Sequence, residues 1–453
     1  MKSCFQSRSL AIFRVAAAVV FSVFAALLCL EGERPNVLLI MVDDLGYGDL
    51  SSYGATDLKT PQIDRLMEQG MRFTDFYANC CVCSPTRAAL LSGRYPEFVG
   101  VPGVVRTHDK DNWGYLRPES VMLPEVFQED GYMTVLVGKW HLGLRDLNHP
   151  NRRGFQEFRG FLGDMMDDYW THLRHGNNYM RRNMEVIEPE GHATDLFTDW
   201  TIESLKSYAE NPGRPFFHFL AYNAPHSPVQ PPQEWLDRVL AREPEITRRR
   251  AKMVAFVEHL DDAIGKVIQS LDALGLGDDT IVVFTSDNGG RIHYGATNGA
   301  LRSDKGHVYE GGIKVATSVR WPGVVGRGQV TGFRGLTMDI LPTLADICGI
   351  EIESEVEGRS FRKLLEEGRQ DAFERPVFHM WLQGASKQCM RYGDWKLARD
   401  LPGSPFELYN LKSDPLEETD LANREPKRLE EMVSALQFHM MAADRVPWRR
   451  PAQ

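Results

Sequence analysis

The stretch NVLLIMVD, Asn36 to Asp43, is an unbroken apolar run that ends on a carboxylate. A run without polar alternation suits a strand covered on both faces, the situation inside a parallel sheet. Working outward, Tyr132 to Val137, Phe216 to Tyr222 and Thr280 to Thr285 repeat the pattern. Between these strands lie helical spacings. Thr60 and Pro61 open one that carries Ile63, Leu66 and Met67 and stops at Gly70; Thr247 to Leu274 carries Met253, Phe256, Val257, Leu260 and Ile264. Alternating strand and helix signals predict an α/β fold, with a large, mixed, mainly parallel central sheet flanked by helices. No internal repeat is visible. Beyond about residue 370 the texture changes. Pro376 to Trp381, Cys389 to Leu397 and Phe406 to Leu411 read as short antiparallel strands, and Lys427 to Met440 as a helix. A smaller C-terminal α+β subdomain is expected there, dividing the chain into 1–30, 31–370 and 371–453.

Composition narrows the function classes. The chain has 453 residues, 43 % apolar and 25 % charged, enough to bury a sizeable core. Lys and Arg number 52 against 62 Asp and Glu, a formal charge of −10, and no long basic run is present, which argues against nucleic-acid binding. Gly at 39 and Pro at 25 exclude collagen-like and low-complexity classes. Lys2, Arg8 and Arg14 precede an uncharged run from Val15 to Leu30 that Glu31 ends. It reads as a cleaved signal peptide or an uncleaved N-terminal anchor; either way the rest of the chain is expected to be exported, with a membrane involved only through that anchor. Of seven cysteines, Cys4 and Cys29 lie in this leader. The odd remainder, Cys80, Cys81, Cys83, Cys348 and Cys389, leaves at least one thiol unpaired, and spacing does not give connectivity.

Four polar clusters follow predicted strands: Asp43-Asp44, Gly138-Lys139-Trp140-His141, Asn223-Ala224-Pro225-His226 and Ser286-Asp287-Asn288-Gly289. Open α/β sheets bind ligands at the carboxyl ends of their strands, so these distant clusters are expected to share one crevice. Asp43, Asp44, Asp287 and Asn288 are metal candidates. Adjacent buried carboxylates repel unless a cation compensates them, and oxygen donors favour calcium or magnesium over zinc. Singly, each reads more readily as a solvated turn residue or a helix cap, and it is the pairing of two such sites at two strand ends that supports a metal. Cys83-Ser84-Pro85-Thr86-Arg87 predicts a helix start, with Ser84 as N-cap, Pro85 at the first helical position and closure near Gly93. Cys83 would then sit at a helix N-terminus, and Arg87, one turn on, could neutralise it or bind a tetrahedral oxyanion. A buried structural cysteine is the plain alternative.

CSPTRAALLSGR, Cys83 to Arg94, resembles the type I sulfatase signature C-[ST]-P-x-R with its trailing L-x-[ST]-G-R. The resemblance continues in order through NVLLIMVDDLGYG (Asn36 to Gly48), GKWHLG (Gly138 to Gly143), PHSP (Pro225 to Pro228) and SDNG (Ser286 to Gly289). LRSDKGHVYEGG (Leu301 to Gly312), RWPG (Arg320 to Gly323) and LYNLKSDPLEETDLA (Leu408 to Ala422) extend it to roughly residues 35 to 425. It implies an alkaline-phosphatase-like fold and a sulfuric ester hydrolase. In that family the cysteine is oxidised to formylglycine by a maturation enzyme, here at Cys83. Asp43, Asp44, Asp287 and Asn288, with an oxygen of the modified Cys83, would hold one Ca2+. Arg87 would stabilise the aldehyde hydrate, Lys139 and Lys305 would hold sulfate oxygens, and His141 and His226 would move protons. One hydroxyl of the hydrate attacks sulfur and the alcohol leaves with a proton from His226 or Lys305. The second hydroxyl, deprotonated by His141, then expels sulfate.

Two other readings remain at this point: a phosphonate or phosphodiester hydrolase of the same superfamily, and a non-catalytic protein that keeps the fold. The sequence departs from the family where a Ser or His contact often follows the stretch Gly154 to Gly160; here Asp164, Asp167 and Asp168 stand instead. Specificity is expected from the loop Arg145 to His192, with Tyr169, Trp170, His172 and His175, whose aromatic and basic side chains suit a sulfated saccharide or an aryl sulfate. Cys80 and Cys81 have no functional reading.

Overall fold

The computed structural model describes residues 34–108, 115–382 and 386–448. The expected leader over residues 1–30, with Cys4 and Cys29, lies outside the described residues. From Asn36 onward the chain forms one compact unit. At its centre is a ten-stranded sheet. In chain order its strands are β1 (Asn36–Val42), β2 (Met71–Phe73), β3 (Met133–Lys139), β4 (Glu157–Phe161), β5 (Met180–Arg182), β6 (Glu185–Val186), β7 (Phe216–Ala221), β8 (Thr280–Ser286), β9 (Thr317–Arg320) and β10 (Gln329–Thr331). Across the sheet the order is β10-β2-β9-β8-β1-β7-β3-β4-β5-β6. The five inner strands β8, β1, β7, β3 and β4 are parallel, while β9, β5 and β6 each run antiparallel to a neighbour. This is the mixed, mainly parallel sheet that the apolar runs predict.

The run in β1 is unbroken because both faces are covered. Val37, Leu39 and Met41 enter one core with helices α2 (Cys83–Ser92), α3 (Leu123–Glu129) and α6 (Ile340–Cys348). Leu38, Ile40 and Val42 enter the other, with α1 (Pro61–Glu68), α4 (Ala193–Glu210) and α5 (Arg248–Ala273). Side chains two apart on a strand share a face, so one strand feeds both cores.

Antiparallel strands β11 (Val377–Trp381), β12 (Lys387–Tyr392), β13 (Trp395–Arg399) and β14 (Glu407–Asn410) form a second sheet, followed by helix α7 (Pro426–Ala443). Cys389 to Leu397, expected as one strand, is divided between β12 and β13. Gly393, at φ 58°, supplies the left-handed residue of the turn between them. The second sheet shares a core with residues near the central crevice: Cys80, Cys81, Val82 and Val308 pack with Met380, Cys389 and Leu397. Cys80 and Cys81 are therefore packing residues, and the Cys80 thiol lies 3.1 Å from the Met380 carbonyl. No disulfide joins the five described cysteines, all of which are buried.

Candidate active site

Every cluster singled out at a strand end reaches one crevice. Asp43 and Asp44 follow β1, Lys139 ends β3 with His141 two residues on, His226 follows β7, and Asp287 and Asn288 follow β8. These strands are neighbours and parallel, so their carboxyl ends open on the same side of the sheet. Asp44 and His141 both take left-handed backbone angles, φ 65° and 62°, uncommon for residues with a Cβ and frequent at sites where side chains must be aimed.

Cys83 enters from α2. The helix begins two residues earlier than its sequence implies: Val82 is the N-cap and Cys83 the first helical residue. Ser84, expected as the cap, instead accepts the Val105 N–H at 3.0 Å. Thr86 donates its hydroxyl to the Cys80 carbonyl at 3.0 Å and accepts the Cys80 N–H at 3.2 Å, fixing the approach to the helix. Arg87, one turn on, is buried and donates to Asp287 through Nη2 at 2.9 Å and Nε at 3.2 Å. The Cys83 thiol lies 3.4 Å from Asp43 and 3.3 Å from the Lys305 ammonium.

Charges here are buried and matched. The Lys139 ammonium touches Asp43, and that of Lys305 lies 2.5 Å from Asp44. Burial pushes the Asp43 carboxyl up, but Lys139, His226, Arg87 and Lys305 together outweigh it and hold it well below the usual range. Asp287 goes the other way, raised to about 7 by burial and by Asp43 despite Arg87. Burial, then Asp43, raise the Cys83 thiol. Burial, then Lys139 and Arg87, lower His141 well below an ordinary histidine.

The histidine tautomers follow from their partners. His141 Nε2 lies 3.0 Å from the Val105 carbonyl, which only accepts, so the proton sits on Nε2. Nδ1 then carries the lone pair, and it is buried without a hydrogen-bond partner. His226 donates Nδ1–H to the Ser227 carbonyl at 2.6 Å, leaving Nε2 3.6 Å from Asp44.

A hard divalent cation fits the acidic end of this crevice. Asp43, Asp44, Cys83 and His226 bring ligand atoms within 4.8 Å of one another. Asp44 accepts from the Asn288 amide at 2.8 Å, and the Asp44 N–H donates to Asp287 at 3.2 Å. The amide of Asn288 faces two pure acceptors, Asp44 and the Gly289 carbonyl, which fixes its orientation and leaves Oδ1 buried with no donor. An orphaned amide oxygen beside three carboxylates is what an oxygen-liganded cation requires. Asp43, Asp44 and Asp287 also balance Arg87, Lys139 and Lys305 before any ligand arrives; a divalent cation would turn the site net positive, as an incoming anion demands.

Above these groups lies a cavity of about 380 Å³, lined by Asp44, Cys83, His141, His226 and Lys305. Its outer wall holds residues absent from the sequence-based candidates: Arg106, Arg291, Tyr294 and Trp381, with Asp164 and Met165 from the expected specificity loop. The rest of that loop behaves differently. Tyr169 is buried and donates its hydroxyl to the Asn223 and His226 carbonyls at 2.7 and 3.0 Å. His172 is buried with Nε2 on the Gly191 carbonyl at 2.9 Å. Trp170 is half exposed, and neither it nor His175 lines the cavity. The expectation that Tyr169 and His172 contact substrate is corrected: Tyr169 braces the loop that carries His226, and His172 holds the Gly191 carbonyl ahead of α4. A signal for Arg291 was available in its position directly after the Ser286 to Gly290 turn; Arg106, Tyr294 and Trp381 carried none.

Comparison with known proteins agrees with the geometry. The sulfatase family model matches residues 35–350, and a model described as N-sulphoglucosamine sulphohydrolase, C-terminal, matches residues 302–445. Human N-acetylgalactosamine-6-sulfatase is 32% identical over 370 residues, 77% of this chain and 68% of that protein. Rat steryl-sulfatase is 31% identical over 425 residues, 77% of this chain and 73% of its own. The crystal structure of Ps i-CgsB in complex with k-i-k-neocarrahexaose superposes with a TM-score of 0.83 at 29% identity, covering 89% of this chain and 92% of that one. With its parallel strand ends, its Cys83 signature and these relatives, the chain belongs to the sulfatase family and is a sulfuric ester hydrolase.

Proposed function

We propose that the protein removes sulfate from a saccharide sulfate ester, using formylglycine made from Cys83 and one calcium ion held by Asp43, Asp44, Asp287 and Asn288. The observation that carries the reading is the convergence of Cys83, His141, His226 and Lys305 on one cavity, with Arg87 and Lys139 buried against Asp287 and Asp43 beside it. Formylglycine at position 83 would supply a hydrated aldehyde whose two hydroxyls can serve attack and release, and a calcium held by Asp43, Asp44, Asp287 and Asn288 would lower the pKa of a hydroxyl beside it.

The chain's own residues do the rest. Arg87, locked to Asp287, keeps a fixed guanidinium next to position 83. Lys139 and Lys305 supply ammonium groups to the sulfate oxygens, in a site that excludes water and so strengthens their charge. The acidic neighbours of Lys305 hold its pKa up against burial, which keeps it cationic. His141 is neutral, with its lone pair on Nδ1, the form a general base must have. His226 and Lys305 line the cavity, and one of the two gives the departing alcohol its proton. The saccharide class rests on relatives that are N-acetylgalactosamine-6-sulfatases and on one solved with a neocarrahexaose. It rests also on the Arg106, Arg291, Tyr294 and Trp381 wall, which offers both ionic and ring contacts. Export from the cytoplasm, with a dedicated maturation enzyme acting on Cys83, completes the proposal. Among the described residues no helix is long and apolar enough to cross a membrane.

The test is peptide mass spectrometry of residue 83 alongside release of inorganic sulfate from sulfated mono- and oligosaccharides and from an aryl sulfate. An aldehyde or its hydrate at 83 in active protein, and no turnover by Cys83→Ala, are the expected results. Full activity with an intact thiol at 83 would refute the mechanism. Faster cleavage of a phosphodiester than of any sulfate ester would refute the substrate.

A further inference from the structure

We propose that a second groove, next to the catalytic cavity, binds the anionic continuation of a saccharide chain whose sulfate enters at Cys83. The inference rests on the saccharide-sulfate reading above and narrows its substrate to a multiply charged oligosaccharide. The groove has a volume of about 650 Å³ and is lined by Pro228, Arg248, Arg249, Lys252, His293 and Tyr294. It is continuous with the catalytic cavity: Tyr294 lines both, and Ser227 of the first is bonded to Pro228 of the second.

The charge of the groove is its distinguishing property. No carboxylate lines it, although the chain as a whole carries −10. Arg248, Arg249 and Lys252 are exposed, and among the described residues no ion pair engages them. Arg250, in the same helical turn, shows what a structural arginine does here: it is paired with Asp49 and Asp57 at 2.5 and 2.7 Å. Helix stability does not account for the unpaired pair either. Arg248 and Arg249 open α5, where positive side chains oppose the helix dipole. Three cations that serve neither packing nor pairing, set in a concave surface, suit a ligand that brings its own negative charges.

Tyr294 sits where the two spaces meet, 42% exposed. An aromatic face with one wet edge is a platform for a sugar ring, apolar on its face and hydroxylated at its rim. On the cavity side of this ring stands Arg291, whose Nη1 donates to the Lys305 carbonyl at 2.6 Å. A chain with its scissile sulfate between Lys139 and Lys305 would pass Arg291, cross Tyr294 and bring its next sulfates or carboxylates to Arg248, Arg249 and Lys252.

The experiment measures binding and turnover separately on the full-length, formylglycine-bearing protein. The probe for binding is fluorescein-labelled dextran sulfate hexasaccharide, followed by anisotropy; the probe for turnover is 4-nitrophenyl sulfate, which is too small to reach the groove. Arg248→Ala/Arg249→Ala/Lys252→Ala should bind the hexasaccharide about tenfold more weakly, the effect of losing a few solvent-exposed ion pairs. The control Lys206→Ala/Lys363→Ala/Lys427→Ala removes the same charge from exposed positions elsewhere and should bind it unchanged. Turnover of the small ester should be the same in all three proteins. Equal weakening in both variants, or in neither, overturns the groove. Absence of any sulfate-ester turnover in the wild type, with groove-dependent binding retained, overturns the catalytic reading and leaves the groove standing.

Discussion

Two regions of this molecule bury charge, and they do so to different ends. In the seam between the two sheets, Lys396 is fully buried with Glu310 at 2.9 Å and Glu417 at 2.8 Å. Within the seam the charges answer one another: Glu310 accepts from the Tyr77 hydroxyl at 2.7 Å, and Glu417 accepts the Glu310 N–H at 2.8 Å through one oxygen while its Oε1 meets only the Lys396 ammonium. In the catalytic crevice the ion pairs are as short, but Asn288 Oδ1 and His141 Nδ1 are buried and unanswered. Buried polar atoms nearly always have partners, so Asn288 Oδ1 and His141 Nδ1, which meet neither a hydrogen-bond partner nor an opposite charge, suit groups the chain does not contain. Charges matched within the chain hold two sheets together; atoms left unmet receive a ligand.

The comparison breaks most visibly if the two regions trade roles on mutation. His141→Ala should lower kcat about 10²- to 10⁴-fold, the usual contribution of a general base, while urea unfolding moves by at most about 1 kcal/mol. Lys396→Met should do the reverse. It leaves Glu310 and Glu417 buried and unpaired, a loss of about 3–5 kcal/mol in unfolding free energy, with activity per folded molecule unchanged. A matching fall in kcat would show that the seam tunes the crevice as well as supporting it.

A smaller effect sharpens the contrast through pH. Asp400 accepts from the Val308 N–H at 3.0 Å and lies 2.6 Å from His307 and 3.0 Å from Lys387, tying the second sheet to the loop after Lys305. Burial pushes its carboxyl up, but these donors outweigh burial and hold it at about 2. The unfolded aspartate titrates near about 3.9. Its stabilisation is therefore present above about pH 4 and is lost as pH falls through about 2, a change of about 2 kcal/mol. Acid unfolding of Asp400→Asn should lack that step. Smallest of all, Tyr169→Phe removes one hydroxyl from two carbonyls in the loop of His226. We expect about 1 kcal/mol in stability and no change in KM for an aryl sulfate; a large rise in KM would restore Tyr169 to the substrate.

The parts of the fold that could be read in advance are those written in short-range pattern. The strand at Asn36–Val42 was legible because burial on both faces demands an unbroken apolar run. Helix α5 was legible because its spacing holds over 26 residues. The start of α2 lies two residues before the expected one because Ser84 is a good cap chemically, yet its hydroxyl is taken by Val105. The β12–β13 turn was overlooked because Gly393-Asp394 lies inside a run that reads as one strand. Tyr169 and His172 show a harder limit. Aromatic residues in a polar loop face inward or outward with the same sequence signature, and here they face inward.

From the sequence alone came the fold class, the sulfatase signature at Cys83 to Arg87 and the four polar clusters at strand ends. All of these are properties of residues close in the chain, where periodicity, capping and covalent spacing act directly. Tertiary structure alone decided which proton each histidine carries, that the Asn288 oxygen is left without a donor, and that Arg106, Arg291, Tyr294 and Trp381 meet at one wall. Those facts depend on the lateral order β8-β1-β7-β3 and on the docking of the second sheet. The order of strands in a sheet is settled by which faces can be buried together, over separations of hundreds of residues that no local pattern encodes.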